Sequence, residues 1–171
     1  MRTLRIGSSG PLPDRPIPIA MVTGTGPAAM VIEPGTPMRK VIPPRLIGPY
    51  LNGQRSIIAG FVYRGYDAAF RDPAECFAVL GLGYEGSEFS ADMPEIYFLG
   101  WLAREMDTYV AASGPGGRDP NGPSPARAVA EFYTDPMPIP VGAAISRLTA
   151  RGDDLIARYD GLAWRRPTRE V

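Results

Sequence analysis

Few side chains in this sequence could do covalent chemistry. There is no histidine and a single cysteine, Cys76. Without imidazole, the commonest general base and the commonest metal ligand are both missing. Ser–His and Cys–His nucleophile systems are excluded, and one thiolate falls short of a zinc ligand set. Paired carboxylates remain, Glu85 with Glu88 and Asp153 with Asp154. Two convergent carboxylates can hydrolyse glycosides, but the first pair flanks Gly86-Ser87 and reads as a turn, and the second reads as a charged strand end before a hairpin. Thr23-Gly24-Thr25-Gly26 matches neither dinucleotide-binding nor P-loop spacing. Asp119, Asn121 and Gly122 hint at a calcium loop without the rest of its ligands. Cys76 lies in the run Cys76-Phe77-Ala78-Val79-Leu80, where a cysteine acts as a small buried hydrophobe. Trp101, Tyr97, Tyr109 and Trp164 could stack on sugars, but at strand spacing aromatic rings serve core or interface. The expectation is a non-enzymatic chain with no cofactor and no metal.

Composition narrows what kind of scaffold could position any such group. Eighteen basic residues balance 18 acidic ones, which speaks against a nucleic-acid binder working through a basic surface. Lys40 is the sole lysine among the basic residues. The 171 residues suit one domain with an appendage. Glycine and proline number 20 each, which disfavours long helices and favours short strands, turns and extended segments. Cys76 has no partner for an intrachain disulfide. No apolar leader follows Met1, and no run approaches the ~18 apolar residues of a membrane span. The expectation is a chain made in a bacterial cytoplasm and not inserted in a membrane.

Two regions follow from the pattern. Residues 1–54 hold ten of the 20 prolines, so regular helix or central strand is not expected there. The region is nevertheless apolar, unlike a disordered tail. It reads as an extended proline-rich anchoring arm, with Ile17, Ile19, Met21, Val31, Ile32, Val41 and Ile42 as candidate contacts to another subunit. Residues 55–171 read as short antiparallel strands. Ile57 to Arg64 is β-branched and aromatic, with Ile57, Ala59, Phe61 and Tyr63 on one face. Strands are also expected at Cys76 to Tyr84, Tyr109 to Ala111, Arg127 to Thr134 and Ile145 to Ala150. Glu95 to Arg104 has some helical spacing, but its composition favours strand. Ser113 to Pro125 reads as a low-complexity loop, with Arg118, Asp119 and Asn121 as candidate surface contacts. Asp160-Gly161 between two apolar runs fits a two-residue type I′ turn, pairing Tyr159 with Leu162 and Ala157 with Trp164 on one side. The fold class is mainly β, either sandwich-like or an interlocked trimeric β domain.

Several of these stretches resemble the β-rich modules of tail fibres and receptor-binding spikes in tailed phages, prophages and gene transfer agents. Leu80-Gly81-Leu82-Gly83-Tyr84-Glu85-Gly86-Ser87-Glu88-Phe89 is similar to a glycine-rich stretch of those modules ending in Phe. Ile96-Tyr97-Phe98, Ala130-Glu131-Phe132-Tyr133-Thr134-Asp135-Pro136, Arg147-Leu148-Thr149 and the hairpin Tyr159 to Arg165 extend the likeness over Phe61 to Arg166. The resemblance implies a homotrimer in a virion or virion-like particle, held to capsid or tail proteins by the arm. A distal fibre protein or a cell-surface polysaccharide would be the further partner, and nucleic acid would not. Three features depart from the modules: the long Ser113–Pro125 loop, the arm itself, and the end of the chain at Val171 where many fibres continue. The alternative reading is a carbohydrate-binding β-sandwich of a cellular protein.

Overall fold

The computed structural model describes residues 32–111 and 129–168. Ten elements follow in order: β1 (Pro37–Ile42), α1 (Pro44–Leu51), β2 (Ile57–Arg64), α2 (Pro73–Val79), β3 (Glu95–Leu102), β4 (Tyr109–Ala111), β5 (Glu131–Pro138), β6 (Ala144–Thr149), β7 (Gly152–Tyr159) and β8 (Trp164–Arg165). The strands form one sheet in the order β4-β5-β2-β1-β3-β6-β7-β8, and every neighbouring pair is antiparallel. The expectation of a mainly β chain of short antiparallel strands holds, as do the strands at β2, β3, β4 and β6.

The sheet doubles over on itself. β1 and β2 pair only at Met38–Arg64 and Arg39–Tyr63, whereas β1 and β3 stay paired from Pro37–Leu102 to Ile42–Tyr97. Beyond Arg39 the sheet therefore parts into a β4-β5-β2 half and a β1-β3-β6-β7-β8 half. In a flat sheet β3 and β4 would lie about 19 Å apart, four steps of about 4.8 Å. Instead Trp101 on β3 donates its indole N–H to the Tyr109 hydroxyl on β4 at 3.0 Å. The short link from β5 to β6 crosses between the halves and buries Ile139 and Ala143 on the way. Met38, Ile42, Leu99 and Ile145 from one half meet Ile58, Val62 and Phe132 from the other in a shared interior core. α1 contributes to that core with Tyr50, supported by Leu46, Ile47 and Leu51. The Tyr50 hydroxyl donates to the Ile57 carbonyl and accepts from Arg55 Nε, tying the helix to the start of β2.

Three expectations need correction. The first is the exclusion of regular structure before residue 54. β1 lies in the middle of the sheet, and α1 follows it. Pro37 is the first residue of β1 and Pro43 comes after its last, so the ladder between them loses little from proline. Pro44 opens α1 at a position whose N–H is not needed. Residues 37–51 thus supply a strand of the sheet and a helix packed on its core rather than an arm.

The second concerns Cys76 to Tyr84, whose first residues are helical. Asp72 caps α2, its carboxylate accepting from the Glu75 N–H at 2.8 Å, while Glu75 accepts from the Arg71 N–H at 2.7 Å. Asp-Pro-x-Glu is a helix-start signature that outweighs the alternation following it.

The third is the last hairpin. Tyr159 pairs with Trp164 and Arg158 with Arg165, leaving Asp160 to Ala163 as the loop. Asp160 Oδ1 accepts from the Leu162 and Ala163 N–H groups, and Oδ2 accepts from Arg165 Nε at 2.7 Å. Arg165 and those N–H groups hold the Asp160 carboxyl at about 2. A type I′ turn over Asp160-Gly161 needs positive φ at both residues, and here only Gly161, at +100°, has it. The Asp160 side chain closes the longer loop instead, accepting from backbone N–H groups beyond Gly161. Leu162 is consequently 90% exposed instead of facing Tyr159.

Candidate interaction surface

Three of the four carboxylates considered for hydrolysis are engaged by arginines. Glu88 bonds Arg45, Asp153 bonds Arg39 at 2.7 Å, and Asp154 reaches Arg147 at 3.5 Å. Among the described residues no group of three or more His, Cys, Asp or Glu side chains could hold a metal. Cys76 is fully buried, and burial pushes its thiol up to about 12, far from a reactive thiolate. The four aromatics considered as a sugar platform point inward. Trp101 is buried, and Tyr97, Tyr109 and Trp164 pack against the interior core. The carbohydrate-binding alternative loses its platform with them.

What distinguishes the molecule is the contrast between its two outer faces. The outer face of the β1-β3-β6-β7 half is covered by residues 65–94. There Cys76, Leu80 and Leu82 from the α2 segment meet Ile96, Phe98 and Leu148 from the strands. Phe98 is the centre of this contact. Phe70 stacks on it at 6.0 Å between centroids, and the Arg39 guanidinium lies 4.2 Å from its ring. Arg39 also donates to Ser146 Oγ at 3.0 Å and to Asp153, so the cation is desolvated against paired acceptors rather than stranded.

On the outer face of the β4-β5-β2 half the same cover reaches only Tyr63, which meets Phe70 at 6.4 Å between centroids, and among the described residues it does not extend to Phe61. Val110 pairs with Tyr133, and Tyr133 pairs with Phe61, so the three side chains form one row across three strands. The Phe61 and Tyr133 rings meet edge to face at 5.7 Å. Phe61 is 52% exposed and Val110 36% exposed. Ile57 is exposed on the same strand, and β4 is the last strand on this side among the described residues. Exposed large apolar side chains grouped on one face are the kind of surface that marks a docking site.

Lys40 braces the line where the halves part. Its Nζ donates to the Phe61 carbonyl at 3.2 Å. Beside it Gly60 has φ +89°, a backbone conformation that favours glycine, while a Cβ there would only touch Nζ at an ordinary 3.6 Å. Burial lowers the Lys40 amine to about 8, Arg55 pushes it the same way, and Glu131 opposes.

The residues expected from sequence to make contacts divide three ways. Ile17, Ile19, Met21 and Val31 lie outside the described residues, as do Arg118, Asp119 and Asn121 of the Ser113–Pro125 loop. Ile32 is partly buried against the interior core. Val41 and Ile42 belong to β1, with Ile42 in the interior core and Val41 packed under the α2 cover, so neither is available as an anchor. The row Val110–Tyr133–Phe61 was not anticipated as a surface. The alternation of β2 puts Ile57 and Phe61 on one side without telling whether that side is covered.

Comparison of the chain with protein-family models, curated proteins and solved structures returns no match.

Proposed function

We propose that this chain is a structural subunit of a phage-like particle, a tail-fibre or head-spike component that joins other subunits and supports attachment to a host surface. The observation that carries this reading is the exposure of Phe61 and Val110, neighbours of Tyr133 on the outer face of the β4-β5-β2 half. A free domain gains nothing by leaving such side chains in water, whereas a subunit buries them on assembly. The short-stranded β domain and the likeness of Phe61 to Arg166 to fibre modules support the same reading. In it the chain associates with itself, as a homotrimer, and meets capsid or tail proteins through its N-terminal segment.

Light scattering on the purified full chain tests this. The expected mass is three times the 18.4 kDa of one chain, falling to a single chain in Phe61→Ser. A full chain that stays at one chain's mass over a wide concentration range, with Phe61→Ser indistinguishable from it, would remove the self-assembly reading.

A further inference from the structure

We infer that residues 68–94 form a lid that lifts from the outer face of the β1-β3-β6-β7 half while the sheet stays folded, uncovering Tyr63, Cys76 and Phe98. Its motion is a property of the single chain and does not depend on the assembly proposed above.

The way the segment is held is the first observation behind the lid. Among the described residues, the hydrogen bonds of residues 68–94 stay within the segment, as from the Leu82 N–H to the Phe77 carbonyl and from the Met93 N–H to the Ser90 carbonyl, with one exception. The exception is the ion pair of Glu88 with Arg45, whose side chain is 64% exposed, and exposed pairs hold little. Beyond that pair the lid rests on the sheet through apolar contact, Cys76, Leu80 and Leu82 lying against Ile96, Phe98 and Leu148. The strand beneath is held differently, because β3 is paired on both sides, to β1 and to β6. A unit without ladder bonds to its neighbours opens at lower cost than the sheet under it. Its near end is fixed. The Gly65 N–H donates to the Pro37 carbonyl at 2.7 Å, and Arg64 bonds Asp67 at 2.7 Å. At the far end Pro94 leads directly into β3.

The second observation is a polar atom that the closed lid leaves alone. Tyr63 is 3% exposed, and its hydroxyl has no hydrogen-bond partner among the described residues. Phe70 of the lid meets its ring at 6.4 Å between centroids, and Ala68 and Cys76 share its apolar surroundings. A buried phenol usually finds a partner, and one without a partner destabilises the form that buries it. Lifting the lid brings water to the hydroxyl, so opening costs less than the apolar contacts alone would set. Lifting also changes the surface. Phe61 and Tyr63 lie two residues apart on β2 and share a side. Tyr63 pairs with Arg39, whose guanidinium lies over Phe98. The open form therefore extends the exposed surface at Phe61 across β2 and β1 to Phe98.

Thiol labelling of the native full chain tests the lid. Cys76 is the sole thiol. In the closed form it is fully buried and pushed by burial up to about 12, so a thiol reagent reports the lifted form. With excess dithionitrobenzoate and no denaturant, labelling should run at least about tenfold faster than opening of the whole sheet allows, as read from amide exchange across β3 and β6. Tyr63→Phe keeps the ring and removes the hydroxyl, and should slow labelling about tenfold. Labelling that merely matches the exchange of β3 and β6 would overturn the inference, because the lid then opens only with the sheet. So would a Tyr63→Phe rate equal to that of the unsubstituted chain, because opening then does not free the hydroxyl.

Discussion

The outer faces of the doubled sheet begin from similar material and end differently. Each presents a phenylalanine near its centre, Phe98 on one half and Phe61 on the other. Phe98 is 1% exposed under Phe70, Arg39 and the α2 segment, whereas Phe61 has Tyr133 beside it and solvent above. The difference teaches that apolar content alone does not make a core. Residues 65–94 between β2 and β3 form a long excursion that lies back over one half, and on the other it reaches Tyr63 but, among the described residues, not Phe61.

The largest effect that would sharpen the contrast is at the covered ring. Phe98→Ala is expected to lower stability by about 3–5 kcal/mol, as for other buried aromatics cut to alanine. Urea denaturation of a non-associating Phe61→Ser background would measure it. A loss near zero would mean that the α2 cover adds little.

pH tests the line between the halves. The folded Lys40 amine at about 8 lies below its unfolded value of 10.5, so between these pH values the unfolded chain binds more protons. Stability should therefore rise with pH above about 8. Cys76, raised by burial to about 12, acts oppositely from its unfolded value of 9 upward, and Tyr109, also raised to about 12, does so above 10. Denaturation at a series of pH values should show a gain on the order of 1 kcal/mol between pH 8 and 9, little change to about pH 10 as Cys76 offsets Lys40, then a decline. Lys40→Met should lose the gain and keep the decline. A rise that persists in Lys40→Met would place its source elsewhere.

The cap on α2 is a smaller lever on the same cover. Asp72→Ala removes the acceptor for the Glu75 N–H and should cost about 1 kcal/mol. Hydrogen exchange should then quicken in residues 73–80 more than in β2 or β5. Uniform acceleration across the sheet would show that the cover does not open by itself. Smallest in stability is Phe61→Ser, expected to shift folding of the single chain by less than about 0.5 kcal/mol as an exposed substitution, while changing the associated mass. A large stability loss would mean that the face is buried in the free chain.

Much of the sheet was legible beforehand because period-two patterns and turn residues act locally. Ile57 to Arg64, Glu95 to Leu102 and Ala144 to Thr149 declare themselves by β-branched and aromatic content. The start of α2 was equally local, in Asp72-Pro73 and Glu75, but it was masked by the alternating residues that follow. β1 was missed because prolines were read by density instead of position, when those at 37 and 43 bracket a strand. The docking row escaped for another reason. Phe61, Tyr133 and Val110 are far apart in the chain, and strand pairing alone makes them neighbours.

The sequence by itself thus determined the β character, most strand positions, the lack of imidazole chemistry and the inert setting of Cys76. These follow from residue type and nearest neighbours. Only the tertiary structure decided that β1 is central, that the sheet parts at Lys40 and doubles over, and which of two apolar faces is covered. Those outcomes depend on contacts between residues dozens of positions apart, such as Trp101 with Tyr109 or Arg39 with Asp153, and no local pattern encodes which long-range partner a face will find.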